Sequence, residues 1–202
     1  MNKAMRYVFI VSGILFGIAV NSAMCTEGMN TALNSGKGIK SSVKEAVTII
    51  STSTEQDGEK IKSVFALLKD LPQKQVLEEL IVYLNSDIPE IRRAAIFTIY
   101  KNKWDNHEKA DEPLIRLLRH KEDFTRGMAA VALGELKVDH AFNQIVKLLK
   151  SDKSGYVRRS AAYALGVLGN KEAIPYLKQA LNDPDGLVRN NAKGALEILE
   201  KQ

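Results

Sequence analysis

The chain has 202 residues, of which 45% are hydrophobic and 26% are charged, and its formal net charge is +5. This mixture excludes wholesale disorder, and the length suits one domain or two small ones with a sizeable core. A single cysteine excludes an internal disulfide, and no Cys/His cluster has the spacing of a zinc site.

The amino terminus has the three parts of a secretory signal peptide. Its basic residues are Lys3 and Arg6, its uncharged and mostly apolar segment is 7–20, and its small residues are Ser22 and Ala23. We therefore predict a signal peptide over residues 1–23, cleaved after Ser22 or Ala23. The alternative is an uncleaved anchor helix, although the apolar segment is shorter than the roughly 20 residues of a membrane span.

The segment after the predicted cleavage site bears on location and charge. Lipidation of Cys25 would make the chain a bacterial lipoprotein, although Met24 departs from the usual pattern of small residues. Residues 24–41 are rich in Gly, Ser, Asn and Thr and are predicted to be a flexible linker. Without Lys3 and Arg6 the balance is 27 − 24, or +3, which does not indicate nucleic acid binding. We expect a periplasmic or secreted protein.

The rest of the chain contains an internal repeat, which is best aligned on an arginine. The four anchor arginines, 34, 32 and 31 residues apart, are Arg92, Arg126, Arg158 and Arg189. An alanine lies three residues after each anchor, and Ile or Leu lies seven residues after it. An apolar segment with helical spacing precedes each anchor, separated from it by turn residues. Each unit is therefore predicted to be a helix, a short turn and a second helix.

Local signals predict where some of these helices start and stop. Pro113 and Pro175 suit the first turn of a leading helix, where the missing N–H costs nothing. Gly169 is a plausible stop for the second helix of the third unit. We assign residues 76–202 to four repeats, and residues 42–75 to a helical cap that covers the core of the first repeat.

The units resemble HEAT-like repeats, in particular the short type of phycobilin lyases and many bacterial proteins. The resemblance rests on the turn acid, the Val/Ile-Arg pair and the Ala-Ala-x-Ala-Leu-Gly motif, clearest at 161–166 and 129–134. It implies an all-α fold: a right-handed α-solenoid of about four HEAT-like helix pairs with an N-terminal helical cap. It also implies that turn acids bind anchor arginines across neighbouring repeats. The acids so placed are Asp87, Asp152 and Asp183.

Helical geometry separates a core stripe from an opposite face on the second helix of each unit. With 100° per residue, the positions three, six, seven and ten after the anchor share one face, which we predict to be buried. The positions one, five and eight after the anchor are predicted to line the concave surface. The partner-binding residues expected there are Arg93, Phe97, Tyr100, Trp104, Arg159 and Tyr163. Small residues Gly127 and Gly134 between them predict a groove over the second unit.

An alternative for the aromatic cluster of the first unit remains open. The N-terminal cap, or the loop after Trp104, could fold over Phe97 and Tyr100 and bury them inside the protein. Three aromatic side chains on a solvated face would otherwise indicate an apolar partner.

No catalytic or metal-binding pattern is evident in the sequence. The three histidines lack the spacing of metal ligands, and there is no Gly-x-Ser-x-Gly or Cys/His pair. We expect no catalytic residues, no metal and no cofactor.

The primary hypothesis is therefore a non-enzymatic, monomeric scaffold of the bacterial cell envelope that binds a protein or peptide and no nucleic acid. Contact with a membrane would occur only through an uncleaved anchor or a lipid on Cys25. The alternative is an enzyme or enzyme subunit of the phycobilin-lyase or alkylpurine-glycosylase type that uses the concave groove.

Overall fold

The computed structural model describes residues 38–53, 64–66, 68–102 and 107–201. The predicted signal peptide, nearly all of the predicted linker and Trp104 lie outside these residues. Within the described part of the chain the regular structure is helical. The α-helices are α1 (Ile39–Thr52), α2 (Gln73–Tyr83), α3 (Pro89–Asn102), α4 (Glu108–Leu117), α5 (Asp123–Glu135), α6 (Phe142–Ser151), α7 (Gly155–Leu168), α8 (Ile174–Ala180) and α9 (Gly186–Glu200). Short 3₁₀ turns, Asp139–Ala141 and Lys171–Ala173, precede α6 and α8.

The helices stack in pairs as an all-α solenoid, as the sequence predicted. Units one to four are α2–α3, α4–α5, α6–α7 and α8–α9, and α1 packs on α2 and α3. The second helices of the units, here called the inner helices, contact one another far more closely than the first helices, the outer helices, do. A curved stack has its more closely spaced layer on the inside, so α3, α5, α7 and α9 line the concave side.

The predicted core stripe of the inner helices is buried. The alanines three residues after each anchor, Ala95, Ala129, Ala161 and Ala192, are fully buried. The large residues seven after each anchor are buried too, namely Ile99, Leu133, Leu165 and Leu196. Asn102 replaces leucine at the tenth position of unit one, where its Nδ2 donates to the carbonyl of Thr98 at 3.0 Å. Small and large residues thus alternate along one stripe, which lets neighbouring helices interdigitate.

The anchor arginines tie the turns of successive units together. Arg126 binds Asp152 with two parallel hydrogen bonds of 2.7 and 2.8 Å, and Arg158 binds Asp183 in the same way at 2.7 and 2.9 Å. This two-point geometry matches the guanidinium to the carboxylate, as the resemblance implied. The third link has one-point geometry: Arg92 donates to Glu122, rather than to Asp87, and its Nε donates to Oγ1 of Thr125 at 3.3 Å. Asp87 lies in the first turn of the array, which no anchor arginine precedes.

Two predicted boundaries are corrected by the structure. α1 begins at Ile39, inside the predicted linker, because Val43, Val47 and Ile50 continue one buried stripe with the partly buried Ile39. Pro113 lies inside α4 rather than in its first turn, since that helix begins at Glu108. Pro175 does lie in the first turn of α8, as predicted.

The end of α7 occurs where the sequence predicted it. Gly169 adopts a left-handed conformation with φ of 87°, which glycine reaches without a steric penalty. The equivalent residue of unit two is Lys137, which has φ of 59°. Its ammonium group donates to the carbonyl of Val167 in the next unit.

None of the helices in the described residues is both long and apolar enough to cross a membrane.

Candidate protein-binding surface

Four side chains form a continuous stack across three neighbouring inner helices. The guanidinium of Arg93 lies over the ring of Phe124 at 5.0 Å from its centroid. The rings of Phe124 and Tyr156 are stacked, 4.9 Å apart with an interplanar angle of 6°. The guanidinium of Arg159 lies 4.9 Å from the centroid of Tyr156. We call these four residues the aromatic–arginine stack, in which cation–π contacts close both ends of a stacked pair of rings.

The two rings at the centre of this stack were not predicted from the sequence. Phe124 and Tyr156 each lie two residues before their anchor arginine, a position that the helical projection did not assign to the concave surface. They also correct the predicted groove over unit two. A Cβ atom at Gly127 would lie 2.3 Å from Cε1 of Tyr156, so the ring occupies the space that the glycine leaves.

The positions eight residues after the anchors of units one to three are buried, although the sequence analysis placed them on the concave surface. Tyr100 is only 5% exposed, and Gly134 and Gly166 are buried. A Cβ atom at Gly134 would lie 2.8 Å from Cα of Ala164 on the next inner helix. This position therefore points sideways into the contact between consecutive inner helices. The expectation that Tyr100 lines the open concave surface is corrected by its burial.

The N-terminal cap covers part of the aromatic cluster of unit one. The ring of Phe65 lies 5.7 Å from that of Phe97, and Phe97 packs edge-on against Tyr100 at 5.5 Å. The ammonium group of Lys101 lies over both rings of that pair. Phe97 is half-buried, so the alternative that the cap folds over this cluster describes these contacts better than an open apolar patch does.

Tyr163 makes a short hydrogen bond on the same surface. Its hydroxyl donates to Oε1 of Glu135 in the preceding unit at 2.6 Å. Burial, and then the hydrogen bond to Glu135, raise the pKa of Tyr163 well above its usual value. Burial likewise raises the pKa of Tyr156 to about 12. Both hydroxyls are therefore protonated at physiological pH, and that of Tyr163 donates to Glu135.

Two of the predicted site residues, Arg93 and Arg159, are half-buried at opposite ends of the stack. Arg93 also donates to Glu90 at 2.7 Å, whereas Arg159 has no carboxylate partner among the described residues. Aromatic rings with arginines at their edges offer stacking area and several hydrogen-bond donors, which are the usual energetic anchors of protein interfaces. The role of these residues in binding stays a prediction.

We searched the described residues for side chains that could bind a metal ion. Across residues 38–53, 64–66, 68–102 and 107–201, no group of three His, Cys, Asp or Glu side chains is arranged to hold a metal ion.

Curated relatives with similar sequences include enzymes and enzyme subunits. The chain is 31% identical over 131 residues to deoxyhypusine hydroxylase-B of Oryza sativa, covering 64% of this chain and 42% of the relative. It is 36% identical over 97 residues to phycocyanobilin lyase subunit alpha of Picosynechococcus sp., covering 44% of this chain and 36% of the relative. The chain thus spans less than half the length of these relatives. Their names correct the expectation that the chain is not an enzyme.

Solved structures share the fold. The complex of CpcE and CpcF of phycocyanin lyase from Nostoc sp. matches with a TM-score of 0.56 and 21% identity, covering 79% of this chain and 65% of that one. A designed armadillo repeat protein in complex with the peptide (KR)4 matches with a TM-score of 0.57 and 19% identity, covering 88% and 90%. A family model for HEAT repeats matches residues 77–153 and 112–197, which together make up more than half of the chain. The chain belongs to the HEAT-repeat family.

Proposed function

We propose that this protein is a subunit of an enzyme assembly of the phycobilin-lyase type, and that it holds a partner protein on its concave surface. The observation that carries the proposal is the aromatic–arginine stack, which runs without a break from unit one to unit three. A solenoid presents such a row of side chains on one extended surface, so a partner can contact several repeats at once.

The physical state of the stack favours binding over a purely structural role. Each of its four side chains is partly exposed, so the stack is not sealed inside the core. The stack is also preorganised, because each ring is held in place by its neighbours before a partner arrives. Rigid aromatic anchors of this kind lose little conformational entropy on binding.

The lyase type is preferred because both the sequence and the fold resemble lyase proteins. The sequence resembles a phycocyanobilin lyase subunit, and the fold resembles a phycocyanin lyase complex with a TM-score above 0.5. The sequence also resembles deoxyhypusine hydroxylase-B, which is the second enzyme class among the relatives. The Nostoc structure is a complex of CpcE and CpcF of phycocyanin lyase, and a partner subunit is the corresponding expectation for this chain.

Affinity purification of the tagged protein from its native host tests the proposal. We expect a partner in stoichiometric amount, and we expect the double variant Phe124→Ala, Tyr156→Ala to lose it. The matched control is Lys178→Ala, an exposed change on outer helix α8. The isolated complex is then assayed for bilin transfer to phycocyanin. Retention of the partner by the double variant would place binding elsewhere, and a purified complex without transfer activity would contradict the lyase assignment.

The cellular location is a separate proposal, resting on residues 1–23 alone. We propose that this segment is removed on export, which would place the assembly in the cell envelope. Intact-mass measurement on protein from the native host should give a mature chain that begins near residue 23. An acyl group on Cys25 would support a lipoprotein instead, and retention of residues 7–20 would contradict cleavage.

A further inference from the structure

The last anchor arginine is held by its own turn in the same way as the interior ones. Nη1 of Arg126 donates to the carbonyls six and five residues before it at 2.8 and 3.1 Å, and Nη1 of Arg158 does so at 3.0 and 3.4 Å. Nη1 of Arg189 makes the equivalent pair at 2.6 and 3.0 Å. In all three units the preceding turn therefore fixes one nitrogen of the guanidinium and orients the rest of the group.

The other two donor nitrogens distinguish the last unit from the interior ones. Nε and Nη2 of Arg126 bind the two oxygens of Asp152 from the next turn, and those of Arg158 bind the two oxygens of Asp183. Nε and Nη2 of Arg189 donate to no atom of the described residues, and Arg189 is exposed. Arg189 thus presents to solvent the same preoriented pair of donors that binds a carboxylate in the interior units.

A second position of the same unit keeps the repeat pattern. Three residues before the anchor, unit three has Gly155, where a Cβ atom would lie 2.2 Å from Oδ2 of Asp185 in the next turn. Glycine is therefore needed at this position to make room for an acid of the following turn. Unit four has Gly186 there, and the nearest side-chain atom to a Cβ would be Nη2 of its own Arg189, at 3.4 Å. Gly186 leaves the same room beside the arginine.

The kind of turn that fits these two positions is present in the protein itself. Asp183 binds Arg158, and Asp185 of the same turn lies against Gly155. Oδ1 of Asp183 also accepts from the backbone N–H of Asp185, and Oδ1 of Asp185 accepts from that of Leu187, both at 2.8 Å. An Asp-x-Asp sequence at the start of a helix thus holds two carboxylates in fixed positions.

The rest of the exposed side of α9 is polar and limits how a partner can approach. Asn190, Lys193 and Glu197 are exposed. Lys193 and Glu197 lie where α7 has the buried Ala162 and Gly166, so a further helix could not pack against α9 as closely as α9 packs against α7. The contact is therefore confined to the turn. Because it depends on exposed charges, its affinity should be modest and should fall with ionic strength.

We propose that Gly186 and Arg189 bind a turn of a partner protein that carries Asp-x-Asp at the start of a helix. The first carboxylate binds Nε and Nη2 of Arg189, and the second lies against Gly186; we call this pair the Arg189 site. The inference goes beyond the proposed function, since it needs neither the aromatic–arginine stack nor the lyase assignment. A second copy of this chain is less suitable, because its acids at the linking positions are already bound to arginines: Glu122, Asp152 and Asp183.

A cyclic peptide that copies residues 181–187, Leu-Asn-Asp-Pro-Asp-Gly-Leu, tests the chemistry of the site on the purified protein. In an NMR titration we expect a saturable shift of the backbone N–H signal of Gly186. Asparagine in place of the first aspartate of the peptide should weaken binding by about 10-fold, the scale of a charge-assisted hydrogen-bonded pair. Arg189→Gln should weaken binding of the unchanged peptide by the same factor.

Two controls separate this site from general attraction of anions. Lys193→Gln removes the same charge one turn later on α9 and should change the affinity by no more than about twofold. Sodium acetate at the same carboxylate concentration should not reproduce the shift. Equal effects of Lys193→Gln and Arg189→Gln, an equal response to acetate, or no saturable binding of the peptide would each refute the Arg189 site.

Photocrosslinking in the native host tests the partner. A photoreactive phenylalanine derivative in place of Asn190 should crosslink to a segment that contains Asp-x-Asp, and Arg189→Gln should abolish the crosslink. The double variant Phe124→Ala, Tyr156→Ala should retain it. A crosslink that the double variant abolishes and Arg189→Gln does not would support binding on the concave surface and refute the Arg189 site.

The remaining outcomes of the crosslinking experiment also overturn the inference. A crosslink that neither variant affects, or a partner segment without paired acids, would refute the assigned chemistry. A crosslink to residues 85–88 of another copy, removed by Asp87→Asn, would show that the occupant is a second copy instead of a partner protein.

Discussion

Helices α7 and α9 occupy the same place in successive repeats but have different surroundings. On α7, the anchor Arg158 binds the next turn through Asp183, and Gly166 lets the next helix approach closely. On α9, the anchor Arg189 donates only to carbonyls of its own turn, at 2.6 and 3.0 Å. Glu197, which is exposed, takes the place of Gly166.

The comparison shows that a repeat position acquires its role from the unit that follows it. The anchor arginine links two turns only where the next turn places a carboxylate within hydrogen-bond distance. Glycine is required only where another helix packs directly on that position. On α9 neither partner is present among the described residues, and polar residues such as Lys193 and Glu197 replace the repeat pattern. Predictions that change equivalent residues of interior and terminal helices test this interpretation.

The largest effect is expected from the anchor arginines. Arg126→Met leaves the buried carboxylate of Asp152 without its cation and should lower the free energy of unfolding by about 3–5 kcal/mol. Arg189→Met removes the equivalent side chain where no acid is bound and should cost about 1 kcal/mol or less. Urea unfolding of both variants measures the difference. Equal losses would show that the arginine acts within its own turn.

The glycines should respond in opposite directions. Gly166→Leu forces a side chain against the backbone of Ala195 and should cost about 1–3 kcal/mol. Gly194→Leu meets open space and replaces a poor helix former, so it should raise stability by up to about 1 kcal/mol. The two midpoints of urea unfolding test this contrast. A destabilised Gly194→Leu would mean that α9 is packed against something on its concave side.

The turn acids predict a loss of stability in acid. Hydrogen bonds from Arg158 hold the pKa of Asp183 below its usual range. Its stabilising contribution is therefore complete above the unfolded-state pKa of about 3.9 and is lost as the pH falls through the lower folded-state value. Asp183→Asn should be less stable at neutral pH and should lose less on acidification below about pH 4. Parallel curves for variant and wild type would contradict this linkage.

The smallest effect is expected at the exposed edge of α9. Lys193 and Glu197 lie where the interior helices have Ala162 and Gly166, and both are exposed. The double variant Lys193→Ala, Glu197→Ala should change the free energy of unfolding by no more than about 0.5 kcal/mol. A loss of several kcal/mol would show that this edge is part of the core rather than a solvated end.

Much of the architecture could be predicted because repeats reinforce a weak signal. One arginine or alanine says little, but four recurrences of the same spacing identify the helix pair and its buried face. The links from Arg126 to Asp152 and from Arg158 to Asp183 followed from the family resemblance in the same way. The predicted position of Pro113 was wrong because the prediction used only the local preference of proline for the first turn of a helix. Burial of the surrounding apolar stripe can hold a proline inside a helix, and that burial is not a local property.

The binding surface was predicted less well because it depends on the spacing between repeats. Arg93, Arg159 and Tyr163 are partly exposed on inner helices, but Tyr100 is buried in the packing between inner helices. A projection of one helix cannot separate a position that faces solvent from one that faces the neighbouring helix. Phe124 and Tyr156 were overlooked for the same reason, although their common place two residues before an anchor was a usable signal.

The sequence by itself determined the repeat unit, its core stripe and its turn chemistry, because these depend on residues close together in the chain and on periods that a helix imposes. The tertiary structure decided which side chains of different units meet: Phe124 on Tyr156, Tyr163 on Glu135 and Phe65 on Phe97. Those contacts depend on how closely and at what level consecutive inner helices stack. That spacing is set by the combined volume of all the side chains between the helices, which no single repeat contains.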